Sequence, residues 1–160
     1  MHSDLLDILR VFSQYKVEYL IVGGYAVAFH AEPRFTKDLD ILVRASQENA
    51  RRVFQSLRAF GAPLSGLTEK DFEREKYWYQ IGSPPVRVDI LMSIDGVAFD
   101  DAWARRVEST IGDVEAFFIS KEDLIAAKTA AGRPQDLIDV QTLTAYQSEK
   151  KSEAWKKPKE

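Results

Sequence analysis

The sequence predicts an α/β domain built on a mixed, mainly antiparallel sheet, with helices packed mainly on one face. Three observations point there. A continuous apolar run, Tyr19 to Val22, is broken by Gly23-Gly24 and resumes at helical density from Tyr25 to His30, the pattern of a buried strand turning into a helix. A second strand, Asp38 to Val43, alternates acid and aliphatic at its start. Two further pairs of short β-rich runs read as hairpins, one around Gly82-Ser-Pro-Pro85 and one across Gly112-Asp113.

Taken in order, Ser3 or Asp4 is placed to cap a first helix with Leu5, Leu9 and Phe12 as its apolar stripe, ending near Lys16. After the first strand, Gly23-Gly24 sits at a helix N-terminus, where backbone N–H groups can face an anion. Side chains alternate across a strand, so Asp38 and Asp40 share one face while Leu39, Ile41 and Val43 share the other. The two carboxylates then stand about 6–7 Å apart. Ser46 caps a helix from Gln47 to about Arg58, with Ala50, Val53, Phe54 and Leu57 inward. Arg51, Arg52 and Arg58 fall off that stripe and read as a solvated face.

A proline-containing loop, Gly61 to Gly66, leads into a mixed-charge stretch from Lys70 to Lys76, helix or loop. The first hairpin pairs Tyr77–Ile81 with Val86–Met92. In its second strand Val86, Val88 and Ile90 share one face, and Arg87 and Asp89 the other. An acid inside such a strand is costly unless paired, which makes Asp89 a candidate third carboxylate. Phe99 to Arg105 forms a short helix, and Val107–Ile111 with Val114–Ile119 the second hairpin. Ser120 and Asp123 make a capping-box start for the helix Lys121–Ala131, which stops at Gly132. Pro134 opens a last helix with Leu137, Val140 and Leu143 as its core face. The expected division is one domain over residues 1–148 and a frayed, lysine-rich tail over 149–160, with Trp155 its one apolar anchor.

The bulk properties narrow the function classes. A net charge of −3 across 160 residues provides no global basic field for nucleic acid. The lack of cysteine removes disulfides and thiolate metal sites, and suits a reducing cytoplasm. The acidic N-terminal stretch carries no signal pattern, and the longest apolar run is too short to span a bilayer. A cytoplasmic domain without membrane contact is the expectation.

A D-x-D pair alone marks an exposed strand end more often than a metal site, and Gly-Gly alone is commonly a turn. Their combination with a third acid inside a neighbouring apolar strand is more specific. His30 reads as a packing or surface histidine, and Tyr77, Trp78 and Tyr79 as hairpin core. Lys128 lies near the apolar side of its helix, placed either to snorkel or to reach a polyphosphate.

Gly23-Gly24, Arg34-x-Thr36-x-Asp38-x-Asp40 and Asp89 together resemble the nucleotidyltransferase superfamily that includes DNA polymerase beta. The likeness is greatest to the minimal bacterial and archaeal nucleotidyltransferases, many of them toxin–antitoxin or abortive-infection components. The segment Ser120-Lys-Glu-Asp-Leu-Ile with Lys128, Gly132-Arg133-Pro134, Asp136 and Asp139 resembles that group's second signature. The resemblance implies a magnesium-dependent transfer of a nucleoside monophosphate from an NTP such as ATP to a hydroxyl. Asp38, Asp40 and Asp89 would be catalytic and hold Mg²⁺, two ions in the full scheme. Gly23, Gly24, Arg34, Thr36, Lys128 and Asp136 would bind nucleotide. It implies an RNA end, a protein side chain or a small antibiotic as acceptor, and an antitoxin or a second copy of the chain as partner. The chain departs from the group at Gly24, where many members have serine, so no hydroxyl is supplied there. A catalytically idle nucleotide-binding or protein-interaction subunit with the same fold is the alternative. A small RNA-binding protein using Arg51, Arg52, Arg58 and the lysine tail is the other, and the acidic balance disfavours it.

Overall fold

A computed structural model describes residues 1–83 and 86–146. The expected Pro84-Pro85 turn and the tail with Trp155 lie outside the described residues. Helix α1 (Ser3–Gln14) leads into strand β1 (Tyr19–Val22), helix α2 (Gly23–His30), strand β2 (Asp38–Val43) and helix α3 (Gln47–Phe60). A short 3-10 turn, Glu69–Glu73, precedes the hairpin β3 (Trp78–Ser83) and β4 (Val86–Leu91). Helix α4 (Phe99–Ala104), the hairpin β5 (Val107–Ile111) and β6 (Val114–Phe118), and helices α5 (Lys121–Ala131) and α6 (Pro134–Ala145) complete the described chain.

The six strands form one mixed sheet in the order β3-β4-β2-β1-β6-β5. β1 runs antiparallel to β2 and both hairpins are antiparallel, while β2–β4 and β1–β6 are parallel. The mixed, mainly antiparallel α/β architecture agrees with the expectation. Tyr19 and Ile21 pair with Val43 and Ile41, so these four and Leu39 make one apolar face. The Phe12 ring of α1 meets the Tyr19 ring at 5.6 Å between centroids, and α1 and α3 pack together and against the sheet. All of Leu5, Ile8, Leu9 and Phe12 are buried. Burying an aliphatic or aromatic side chain of this size contributes about 1.5–3 kcal/mol.

Local signals decide most helix ends. Ser46 Oγ accepts from Asn49 N–H at 3.3 Å and Ser120 Oγ from Asp123 N–H at 3.1 Å. Gly61 and Gly132 end α3 and α5 in the left-handed region. Three expectations need correction. His2, not Ser3 or Asp4, caps α1, its Nδ1 accepting from Asp4 N–H at 3.1 Å. In α6, Leu137 is exposed, and Asp136, Asp139 and Leu143 form the buried face. Periodicity finds an apolar stripe, but the tertiary partners of Asp136 and Asp139 override it. Within the hairpin, Tyr79 packs on Phe72, but Tyr77 and Trp78 are exposed. Trp78 lies on β3, an edge strand of the sheet among the described residues.

Candidate active site

The acid-bearing face is assembled by strand register. Parallel pairing of β2 with β4 sets Asp38 opposite Arg87 and Asp40 opposite Asp89. On the other side of β2, Asp40 is opposite Val22, the last residue before Gly23. The register therefore sets Asp40 beside Asp89 at the point where β1 turns into α2, with Asp38 two residues away on the same face. Asp40 and Asp89 are direct partners in the β2–β4 register. Burial first, then the charges of Asp89 and Asp38, push the Asp40 carboxyl up to about 7.

Gly23 is required here twice over. Its φ is +64°, and a Cβ built on it would sit 2.1 Å from Asp40 Oδ2. The missing side chain is the space the carboxylate occupies. At Gly24 a Cβ would lie 2.5 Å from Thr36 Oγ1 and 3.2 Å from Arg34 Nη2. The Thr36 hydroxyl thus stands beside the position where the expected serine would have put its own. Among the described residues no side chain caps α2, so N–H groups of its first turn remain available to an anion.

From this turn opens a cleft of about 490 Å³, between the strand ends and α5, within the size range of small-molecule sites. Gly23, Asp40, Lys128, Arg133 and Asp136 line it, together with Lys76, Ser93 and Asp95 from the loops flanking β3 and β4. Gly96 lets the loop after β4 approach α5 closely, since a Cβ there would meet Ala130 Cβ at 2.7 Å.

The cations beside the cleft are held by two buried carboxylates, Asp136 and Asp139. Lys128 Nζ lies 3.3 Å from Asp136 Oδ1 and 2.9 Å from Asp139 Oδ2. Arg34 reaches the same Asp139 at 3.2 Å, and Arg133 holds Asp136 at 2.7 Å. Burial acts to raise the Asp136 carboxyl, but Arg133 and Lys128 outweigh it and keep it below the ordinary range. This network ties the loop before β2 to α5 and α6.

Residues 4–148 match the family described as nucleotidyltransferases of unknown function (DUF6036). The chain belongs to that family. Its fold is similar to that of the lincosamide antibiotic adenylyltransferase LnuA, solved with lincomycin bound. That likeness has a TM-score of 0.59 at 20% identity, over 91% of this chain and 97% of that one. It is also similar to an antigenic nucleotidyltransferase-like protein from Paracoccidioides brasiliensis, with a TM-score of 0.50 at 16% identity, over 90% of this chain and 76% of that one. No protein of curated function matches the sequence.

Of the residues expected in this nucleotidyltransferase, Gly23, Gly24, Arg34, Thr36, Asp38, Asp40 and Asp89 are brought together. Lys128 and Asp136 line the cleft, but each is already neutralised by buried partners. The two carboxylate contacts of Lys128 tie it to the packing of α5 on α6. His30 is a packing histidine: its Nε2 lies 2.7 Å from the Ile119 carbonyl, and burial lowers its pKa. Arg87 is the residue whose place at the acids sequence reasoning missed. Its Nε and Nη2 donate to Asp89 at 3.1 and 3.0 Å. The strand alternation had put Arg87 on the acid face, and that was the available signal.

Asp38 and Asp40 suit a divalent metal on two grounds. Asp38 Oδ1 is buried without a hydrogen-bond partner among the described residues, an unusual state for a carboxylate oxygen, and Asp40 is crowded by negative charge. Magnesium is commonly held by one or two carboxylates plus substrate phosphates. Among the described residues no three His, Asp or Glu side chains form a ready-made metal cage, and Asp89 is engaged by Arg87.

Proposed function

We propose that this nucleotidyltransferase moves a nucleoside monophosphate from an NTP to a hydroxyl acceptor in a magnesium-dependent reaction. The observation that carries the reading is Asp40 lining the cleft beside Gly23, with Asp89 opposite it and Asp38 two residues away on the same strand face. Asp38 and Asp40, with Asp89 as third carboxylate, would hold Mg²⁺, which when bound would supply charge neutralisation and alignment at the α-phosphate. The first turn of α2 receives phosphate oxygens through its N–H groups. Thr36, beside Gly24, offers the hydroxyl that Gly24 lacks. Arg133, whose side chain is 78% exposed, is the cation of the cleft best placed to meet the outer phosphates. Lys128 and Asp136 position it by fixing α5 against α6. Asp89 takes the proton of the attacking hydroxyl, and pyrophosphate leaves along the cleft.

The acceptor proposed first is a small hydroxylated molecule, because the chain covers nearly the whole of a structure solved with such a molecule bound. RNA ends and proteins are the other arms, with a toxin–antitoxin role following from either. An idle subunit is the competing reading, favoured by the Arg87 grip on Asp89. The test incubates the protein with each α-labelled NTP, Mg²⁺ and either small aminoglycoside or lincosamide acceptors, RNA, or the protein itself. Label on an acceptor that disappears with Asp38→Asn supports transfer; no label with any acceptor supports the idle subunit.

A further inference from the structure

The acid cluster contains a cation of its own. Arg87 sits opposite Asp38 in the β2–β4 register. Its guanidinium grips both oxygens of Asp89 at 3.1 and 3.0 Å, and its Nε lies 3.8 Å from Asp38 Oδ2. Gln80, opposite Asp89 on β3, lays its amide against the same guanidinium, oxygen inward. A structural ion pair would need Asp89 alone. This one also reaches Asp38, whose other oxygen remains buried and unpartnered.

We propose that Arg87 is an internal latch, which holds the carboxylates together in the metal-free protein and competes with a divalent cation for Asp89 and Asp38. The proposal takes from the functional reading only that these acids bind metal. The guanidinium offsets one carboxylate charge, whereas a divalent ion offsets two. A metal drawing on all three acids must displace the guanidinium from Asp89. The side chain is partly exposed, so it has room to leave. Its planar fork, freed beside the site, is suited to a phosphate in two-point contact. Lysine, a point charge, could not span the two carboxylates in the same way.

The test measures Mg²⁺ affinity without nucleotide, by calorimetry and by Mg²⁺ titration of the unfolding midpoint. It uses the wild type, Arg87→Gln, Arg87→Lys, and Asp89→Asn alone and with Arg87→Gln. In EDTA, Arg87→Gln is expected to unfold at a lower temperature than wild type, because the acids then repel without a counter-charge. It should bind Mg²⁺ on the order of tenfold more tightly, with Arg87→Lys in between. In the Asp89→Asn background the added Arg87→Gln should change Mg²⁺ affinity much less. Equal or weaker Mg²⁺ binding by Arg87→Gln, including no detectable binding by either protein, overturns the latch. Tighter binding without label transfer to any acceptor keeps the latch and removes the transferase reading. Transfer with unchanged Mg²⁺ affinity does the reverse.

Discussion

Replacing Asp40 with asparagine separates what the acid cluster does for chemistry from what it does to stability. In the folded chain the Asp40 carboxyl titrates at about 7 instead of 3.8. Below 3.8 both folded and unfolded states carry the proton, and the group contributes nothing. Between 3.8 and 7 the unfolded chain gives up its proton first, so stability falls as pH rises, and above 7 the loss is complete. A carboxyl raised this far costs the folded state roughly 4 kcal/mol, an upper bound, because water reaches the half-buried carboxylate. Asparagine keeps the shape over Gly23 and carries no such charge. We expect metal-free Asp40→Asn to exceed wild type by about 1–3 kcal/mol at about pH 8, and to match it near pH 4. For a chain of 160 residues that is an increase in unfolding midpoint of roughly 2–10 °C at the higher pH. Millimolar Mg²⁺ should raise the wild-type midpoint by mass action and the mutant's much less, and the mutant should lose Mg²⁺-dependent transfer. Thermal scans in EDTA and in Mg²⁺ at both pH values, with a label-transfer assay, measure all of this. A mutant less stable than wild type at the higher pH in EDTA, or a difference that does not change with pH, would show that Asp40 is a structural hydrogen-bonding residue and refute the reasoning.

Gly24→Ala should lose about 1–3 kcal/mol in denaturant unfolding, since its Cβ would meet Thr36 Oγ1 at 2.5 Å and Thr36 Cβ at 2.9 Å. Gly24→Ser should do no better, because Thr36 already fills that space; a serine variant as stable and as active as wild type would count against this packing. Lys128→Met should lower stability by about 3–5 kcal/mol, as expected when one partner of a buried ion network is removed. An unchanged urea midpoint would return Lys128 to a purely phosphate-binding role.

Much of this protein is written in short-range pattern. The apolar run at Tyr19–Val22, the break at Gly23-Gly24, the alternation of Asp38 and Asp40 with Leu39 and Ile41, and the Ser46 and Ser120 caps are each decided within a few residues. Local sterics and hydrogen bonding suffice there, so these elements and the common face of the two acids are legible in the sequence alone. Side-chain alternation places Arg87 and Asp89 on one face, but it does not say which strand lies alongside. Only the parallel β2–β4 register sets Arg87 against Asp38 and Asp89 against Asp40, turning four separate charges into one coupled cluster. The same holds for α6, where periodicity favours Leu137 but the fold buries Asp136 and Asp139. Those carboxylates are stable inside because Lys128 and Arg34 arrive from other segments to join Arg133, the residue that starts α6, in neutralising them. A charge's partner is a long-range fact, set by how strands and helices stack, and the tertiary structure alone decides it.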